Sequence, residues 1–587
     1  MLKDLRLILT LMLVVFVPQM VTAGQTLPPA IQWVPQDAVI AVELSDSRAL
    51  LDLFAGDKAI KFITSLPVYQ KQASNPKFKE FLGVVRYLET TLGTDWRTGL
   101  AKLTGGGVTL AICPEDTVIL IVEAQDEQML NQLHEIFLNF AKAEADKQGQ
   151  PGRVASTQYG DVTAWTFDGK EAHAIIGKRL VMANRPEGLK AILERRAGTG
   201  GDASLASKPT YRTAKSKIGS GAVATVFADL KLLMQIPGVS QLLEQQSKNP
   251  LAALAFAGIV ESVRDSNWLV LGLDIQDSTL IVRPLIDGKT VAQTSPAAFA
   301  LPKEAGDGVL PNLSVPRRIA ALSLYRDLHE FYAAKDELFP ERTSGLIFFE
   351  NMMGIFFSGR DLTNEVLAET RPDLRFVVAE QQYDPAVGTP QIKLPAFAMI
   401  LRLRHPEQFK EVAEEAWQKA VGLINFTRGQ NAQPGLIIDR PVHSQTRFTM
   451  GYFSTAQVED KTHLDTRFNV RPALAMPEEY LILSSTDGLA CDLIDSLNRE
   501  KAGTIKPLAE TYSLVEIEGA RLASILEANR GVLVRGDMVN KGHTQEEAEA
   551  GIDMLITVVK LIERIDLSIG MHEGLTQARL EMKLNLQ

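Results

Sequence analysis

The chain has 587 residues, 45% of them hydrophobic and 22% charged, with 42 Gly, 28 Pro and two Cys. This is globular composition, and it excludes a disordered, collagen-like, coiled-coil or disulfide-scaffold protein. A formal charge of −10, with no basic run longer than the pairs Lys178-Arg179 and Arg195-Arg196, argues against a binder of nucleic-acid backbones.

The first 23 residues read as a secretory signal. Lys3 and Arg6 make a basic start, Leu7 to Val17 is apolar apart from Thr10, and Val21-Thr22-Ala23 places small residues before Gly24. Cleavage is predicted between Ala23 and Gly24. The apolar run is shorter than the about 20 residues that span a bilayer, so no stable membrane span is expected after cleavage. No Cys follows the run, which argues against a lipid anchor. Losing Lys3, Arg6 and Asp4 takes the charge from −10 to −11, and the mature protein is expected to be exported, periplasmic or extracellular.

Beyond the signal, the predicted elements recur in one order in two halves. Val34-Pro35-Gln36-Asp37-Ala38 runs into an apolar strand, as Val315-Pro316-Arg317-Arg318-Ile319 does later. Leu92 to Trp96 and Phe357 to Leu362 each lead through a polar stretch to a strand, Val108–Ile112 and Leu374–Val378. Strands at Val118–Val122 and Phe397–Leu403 each precede an amphipathic helix. The first starts from Asp126, with Met129, Leu130, Leu133, Ile136, Phe137, Phe140 and Ala141 at helical spacing. The second starts at Pro406, a favourable first helical residue, with Phe409, Val412, Ala413, Ala416, Trp417 and Ala420 on one face.

The clearest match sets Arg179-Leu180-Val181-Met182-Ala183 before Glu187-Gly188-Leu189 against Tyr480-Leu481-Ile482-Leu483 before Asp487-Gly488-Leu489. In both, a strand meets a helix whose first turn carries the carboxylate that the helix dipole favours. Strand-helix pairs follow at Ala222–Gln235 and Tyr512–Leu526. Each half closes with a helix and a hairpin: Leu251–Val263 with Leu269–Leu273 and Leu280–Leu285, then Ala550–Arg564 with Leu567–Met571 and Ala578–Leu584.

This order predicts an α+β protein made of two similar halves by internal duplication, each with an antiparallel or mixed sheet and helices packed on one face. The expected division is signal 1–23, first half 24–289, a Gly/Pro/Ala-rich linker 290–314 and second half 315–587. Flexible connections are expected at Asp384–Pro395 and Asn431–His443. The run Gly345 to Ser358, with four Phe and two Met, reads as a buried core helix. A sticky interfacial segment is the other reading if its side chains are exposed.

The search for chemistry returns absences, and no catalytic, cofactor-binding or metal-ligating residue is assigned. The eight His are His134, His173, His329, His405, His443, His463, His543 and His572, and none lies four residues from another. The paired imidazoles of a zinc-hydrolase helix are therefore missing. His134-Glu135 and His329-Glu330 read as exposed helical positions. Gly288-Lys289-Thr290 ends like a phosphate loop but has Arg283 where the leading Gly belongs. Gly105-Gly106-Gly107 and Gly219-Ser220-Gly221 precede strands and read as turns. No Gly-x-Ser-x-Gly elbow occurs. In Cys113-Pro114-Glu115-Asp116 the acidic pair marks a hairpin tip. Cys113 and Cys491 leave both a disulfide and buried free thiols open.

In its leader, its Val34-Pro35-Gln36-Asp37-Ala38 opening and its Glu187-Gly188-Leu189 and Asp487-Gly488-Leu489 turns, the chain resembles a family of large exported bacterial proteins of unknown function, abundant in planctomycetes. The resemblance implies export and a repeated α+β architecture, and no catalytic residues. Two functional classes follow. One is a non-catalytic envelope protein that binds a protein, a peptide or an apolar ligand in the groove between its halves. The other is a hydrolase whose active site is dispersed in sequence. A carrier of apolar molecules would line a cavity with Leu346 to Phe357.

Overall fold

The structure, a computed structural model, describes residues 27–585 except 66–68, 71–72, 199–202, 220, 237, 242–249, 257–258, 289–297, 305, 340–342 and 504. The signal segment with its Ala23–Gly24 junction, Lys289-Thr290, Ser220 and the start of the linker therefore lie outside the described residues. The chain divides into two compact units, Met1–Ile236 with Ser266–Asp287 and Leu586–Gln587, and Pro237–Asp265 with Gly288–Asn585. One change of unit falls between Asp287 and Gly288. Pro237–Asp265, placed by sequence order in the first half, belongs to the second unit, because the carbonyls of Leu254 and Ala255 are bound there by Arg326.

In the first unit ten strands pair antiparallel. They are β1 (Ile40–Leu44), β2 (Gly107–Cys113), β3 (Thr117–Glu123), β4 (Val154–Tyr159), β5 (Val162–Phe167), β6 (Glu171–Ile176), β7 (Arg179–Ala183), β8 (Ala224–Asp229), β9 (Trp268–Gln276) and β10 (Thr279–Ile286). Their order is β4-β5-β6-β7-β3-β2-β1-β8-β9-β10. Glu115 and Asp116, both at φ 58°, turn β2 into β3, a left-handed conformation that Asp tolerates better than most residues. Helix α1 (Glu127–Lys147) begins where the Asp126 carboxylate accepts from Met129 N at 2.9 Å, satisfying an amide that the first turn leaves without a partner. Its Leu130 and Leu133 pack on Val122, Leu180 and Met182. Helix α2 (Pro186–Arg196) buries Leu189, Ile192 and Leu193 against β3, β6 and β7. A Cβ on Gly188 would stand 3.0 Å from Thr117 Cγ2 and 3.1 Å from Ala183 Cβ, so glycine permits the close approach of α2 to the sheet.

The second unit repeats the pairing strand for strand. The strands of its main ladder are β11 (Arg318–Tyr325), β12 (Thr370–Ala379), β13 (Ala396–Leu403), β14 (Ile437–Asp439), β15 (Thr449–Tyr452), β16 (Ala473–Ala475), β17 (Tyr480–Ser484), β18 (Thr511–Glu518), β19 (Ile562–His572) and β20 (Leu575–Leu584). They run antiparallel in the order β14-β15-β16-β17-β13-β12-β11-β18-β19-β20, the first unit's order with ten added to each number.

The helices of this unit include α3 (Pro250–Phe256), α4 (Leu328–Ala333), α5 (Thr343–Phe356), α6 (Pro406–Gln430), α7 (Asp487–Ala502) and α8 (Gln545–Leu561). Ala398, Ile400 and Ile482 face Leu489, Leu493 and Ile494 of α7, whereas Leu401, Leu403 and Leu481 face Phe409 and Ala413 of α6. Helices thus cover both faces of the sheet, where one was expected. The reason is visible in Met399-Ile400-Leu401, apolar on both parities of the strand, so neither face is left to water. Among the described residues no helix is long and apolar enough to cross a membrane.

Local chemistry moves two expected boundaries. Helix α8 starts earlier than predicted because Thr544 and Glu547 form a reciprocal capping box. It stops at Leu561 because Arg564 is drawn into pairing with Glu518. The Asp384–Pro395 connection, expected to be flexible, is tied down. Thr389 N donates to Lys461 O at 2.8 Å and Gln391 N to Leu464 O at 2.9 Å.

Asn469, 1% exposed, anchors the same segment. Its Nδ2 donates to Ile392 O at 2.8 Å and Thr466 O at 2.9 Å, and its Oδ1 accepts from Leu394 N at 3.0 Å and Tyr383 OH at 2.7 Å. Asn469→Ala removes four part-buried hydrogen bonds and is expected to cost about 2–3 kcal/mol. Hydrogen exchange should rise in residues 389–394. Unchanged protection there would remove Asn469 from this role.

An apolar cavity in the second unit

The expected hairpin tip at Glu115-Asp116 and the turn at Gly105-Gly106-Gly107 are structural. A Cβ on Gly106 would stand 2.6 Å from Glu123 Cγ, and the cluster turns the chain into β2. Cys113 and Cys491 are free thiols. Burial, with help from nearby carboxylates, pushes Cys113 up to about 12 and Cys491 up to about 11, so both stay protonated and poorly nucleophilic at neutral pH.

His134 departs from the expectation of an exposed position. It sits between Trp165 and His173, ring centroids 6.1 and 5.5 Å away, and its Nε2 is buried with no partner. Burial, and then Lys142, brings its pKa down to about 4. Burial, and then His134, brings His173 down to about 3. The pair comes together from α1 and β6, which no sequence spacing reveals. Among the described residues no cluster of three or more His, Cys, Asp or Glu is placed to hold a metal.

The hydrolase reading meets one suggestive group. His443 Nε2 lies 2.9 Å from Asp495 Oδ2, and Ser444 Oγ donates to Asp495 Oδ1 at 2.6 Å. The hydroxyl is thus bound to the carboxylate and not to the imidazole, so the arrangement lacks the nucleophile-to-base contact that activates serine. Gln36 and Asp37 of the opening motif line a polar pocket of about 630 Å³ in the first unit. Lys208 of that pocket is occupied by Asp229 at 2.6 Å and by Gln36 O at 3.1 Å. Asp487 and Gly488 line a smaller polar pocket of about 320 Å³ in the second unit, where Arg471 pairs with Asp487 at 3.0 Å and Arg317 with Asp492 at 3.3 Å.

The feature without such internal pairing is an apolar cavity of about 460 Å³ within the second unit. Sheet residues Met399, Leu401, Leu474, Leu481 and Leu483 form its floor. Phe409, Ala413, Ala416, Trp417 and Ala420 of α6 form one wall, and Phe331 and Tyr332 of α4 another. Phe349, Met353 and Phe356 of α5, followed by Phe357, close it. Of the lining residues only Tyr332, Thr370 and Trp417 carry a side-chain N or O atom, and Thr370 Oγ1 donates to Leu367 O at 2.7 Å.

The α5 segment is not the buried core helix expected. Its inner side lines the cavity, while Ile347, Phe348 and Ile355 are 52%, 71% and 68% exposed. A helix apolar on all sides has no polar face to turn outward. Periodicity alone therefore did not reveal which side would meet water.

The fold and this site define an α+β protein with a ligand-sized apolar cavity. No protein-family model and no curated protein matches the chain. Among solved structures it is similar to crystal forms III and I of TP0453. Each has 9% identity and a TM-score of 0.24 over 45% of this chain, and covers 80% and 79% of that chain respectively. At that TM-score the likeness carries no argument.

Proposed function

We propose that this is an exported, non-catalytic protein that binds an apolar ligand in the cavity of its second unit. The observation that carries the reading is the cavity itself, within the roughly 300–1,000 Å³ of small-molecule sites and lined by α5, the segment whose composition first suggested a carrier. Its lining is almost wholly apolar side chains, and an apolar occupant that covered them would gain the free energy of removing that surface from water.

Export is supported by the leader, and an internal duplication by the matching strand orders of the two ladders. Protein purified from its native cells is expected to begin at Gly24. An N-terminal mass that retains Met1 would overturn the exported reading.

Native mass spectrometry of the same material tests the binding. The expected result is an excess of a few hundred daltons that disappears on denaturation. Trp417 lines the cavity, so 1-bromodecane should quench its fluorescence. Ala416→Phe fills the space and should reduce both signals at least tenfold. A bare protein whose Trp417 is insensitive to 1-bromodecane would overturn the proposal.

A further inference from the structure

We infer that the outer side of α5 is a membrane-docking surface, on which the protein lies against a lipid bilayer and from which the cavity on the inner side of the same helix takes up its apolar ligand. The docking goes beyond the reading of the cavity as a ligand site, the uptake rests on that reading, and the test separates the two.

Among the described residues of α5 the exposed ones are Gly345, Ile347, Phe348, Phe349, Asn351 and Ile355, none of them charged. Phe348, Met352 and Ile355 follow one another at helical spacing along this side. Ile347, Phe348 and Ile355 are absent from the cavity lining, so a ligand in the cavity would still leave them in water. Large apolar side chains exposed together mark an interaction site.

The chemistry of this row selects a lipid surface over a protein. Polar groups around an apolar centre fix a protein partner in register. Here the charges in and around the helix are satisfied within the chain. Glu350 pairs with Lys335 at 3.2 Å, and Glu415 pairs with Lys419 at 3.0 Å and with Arg360 at 4.0 Å. A fluid hydrocarbon layer asks for no register, only for apolar area. With 14 residues the helix is shorter than the about 20 that span a bilayer, so it lies in the interface.

The cavity supplies the second argument. Its lining is almost wholly apolar, which suits molecules that reside in lipid and not in water. Phe349 both lines the cavity and is 38% exposed. One helix thus turns one apolar side to the ligand and the other to the phase that holds it.

The test is flotation of the protein, purified from its native cells, with phosphatidylcholine vesicles. The parent is expected to float with the vesicles equally at low and high salt, because the row is uncharged. Phe348→Ser/Ile355→Ser should weaken partitioning at least tenfold and keep the melting temperature. Quenching of Trp417 by 1-bromodecane added from solution should be unchanged in this variant, whereas quenching by 1-bromodecane supplied in the vesicles should slow at least tenfold. A parent that does not float, one released by high salt, or a double variant that floats as the parent does overturns the docking and leaves the cavity reading standing. A parent that forms a dimer lost in the double variant, without flotation, overturns it in favour of a second copy of the chain. Equal transfer from vesicles in parent and variant overturns the uptake. Flotation of a parent whose Trp417 is insensitive to 1-bromodecane supports the docking and overturns the cavity reading, and the uptake with it.

Discussion

Replacing Arg326 by methionine is expected to destabilise the second unit by about 4 kcal/mol, a loss in the tail of single-substitution effects. Arg326 is 0% exposed and has no carboxylate partner among the described residues. Its Nε donates to Leu254 O at 2.6 Å and its Nη1 to Tyr325 O at 2.7 Å and Tyr512 O at 3.0 Å. Its Nη2 donates to Ala255 O at 2.9 Å and Ser513 Oγ at 3.0 Å. Burial brings its pKa down to about 10, which leaves it charged at neutral pH.

The guanidinium therefore holds the Leu254 and Ala255 carbonyls of α3 against strand β18. Methionine matches its length and fills its space but strands several buried acceptors, each worth about 1–3 kcal/mol when unpaired. Relief of the buried charge returns part of that. Arg326→Lys keeps the charge without the planar fork and should fall between the two. Urea unfolding combined with hydrogen exchange checks this. A loss under about 1 kcal/mol, with unchanged protection in residues 250–256, would show that α3 is held by packing alone.

Acidification is expected to weaken the first unit through His134 and His173. Both have folded pKa values, about 4 and about 3, below the 6.5 of an exposed imidazole. Between pH 6.5 and about 4 the unfolded chain binds protons that the folded chain refuses, so stability falls as pH falls. At pH 5 the linkage is about 2 kcal/mol for each histidine. Above pH 7 neither state is protonated and the effect vanishes. Carboxylates also titrate, so the comparison that isolates the pair is the parent against His134→Phe/His173→Phe in melts from pH 8 to pH 5. The double variant should lose less stability by roughly 2–4 kcal/mol, and parallel curves would remove the pair as the source.

Much of the fold was legible because local rules decide it. Asp126 caps α1 and Pro406 opens α6 where periodicity placed them, and the closing hairpins lie within a few residues of their predicted ranges. The matching element order is mirrored by matching strand pairing. The β4–β5 hairpin was missed because Ser156, Thr157 and Gln158 lack apolar alternation and their side chains are exposed.

By itself, the sequence determined the class of fold, the order of its elements and the absence of several familiar catalytic signatures, because capping, alternation and turn chemistry act over a few residues. Tertiary structure alone decided that helices cover both faces of the second sheet, that His134 meets His173, that Arg326 holds α3, and that α4, α5 and α6 leave an apolar cavity over the sheet. These are relations between residues far apart in the chain. Each depends on how side-chain volumes and charges meet after the strands have paired, and no spacing along the chain encodes them.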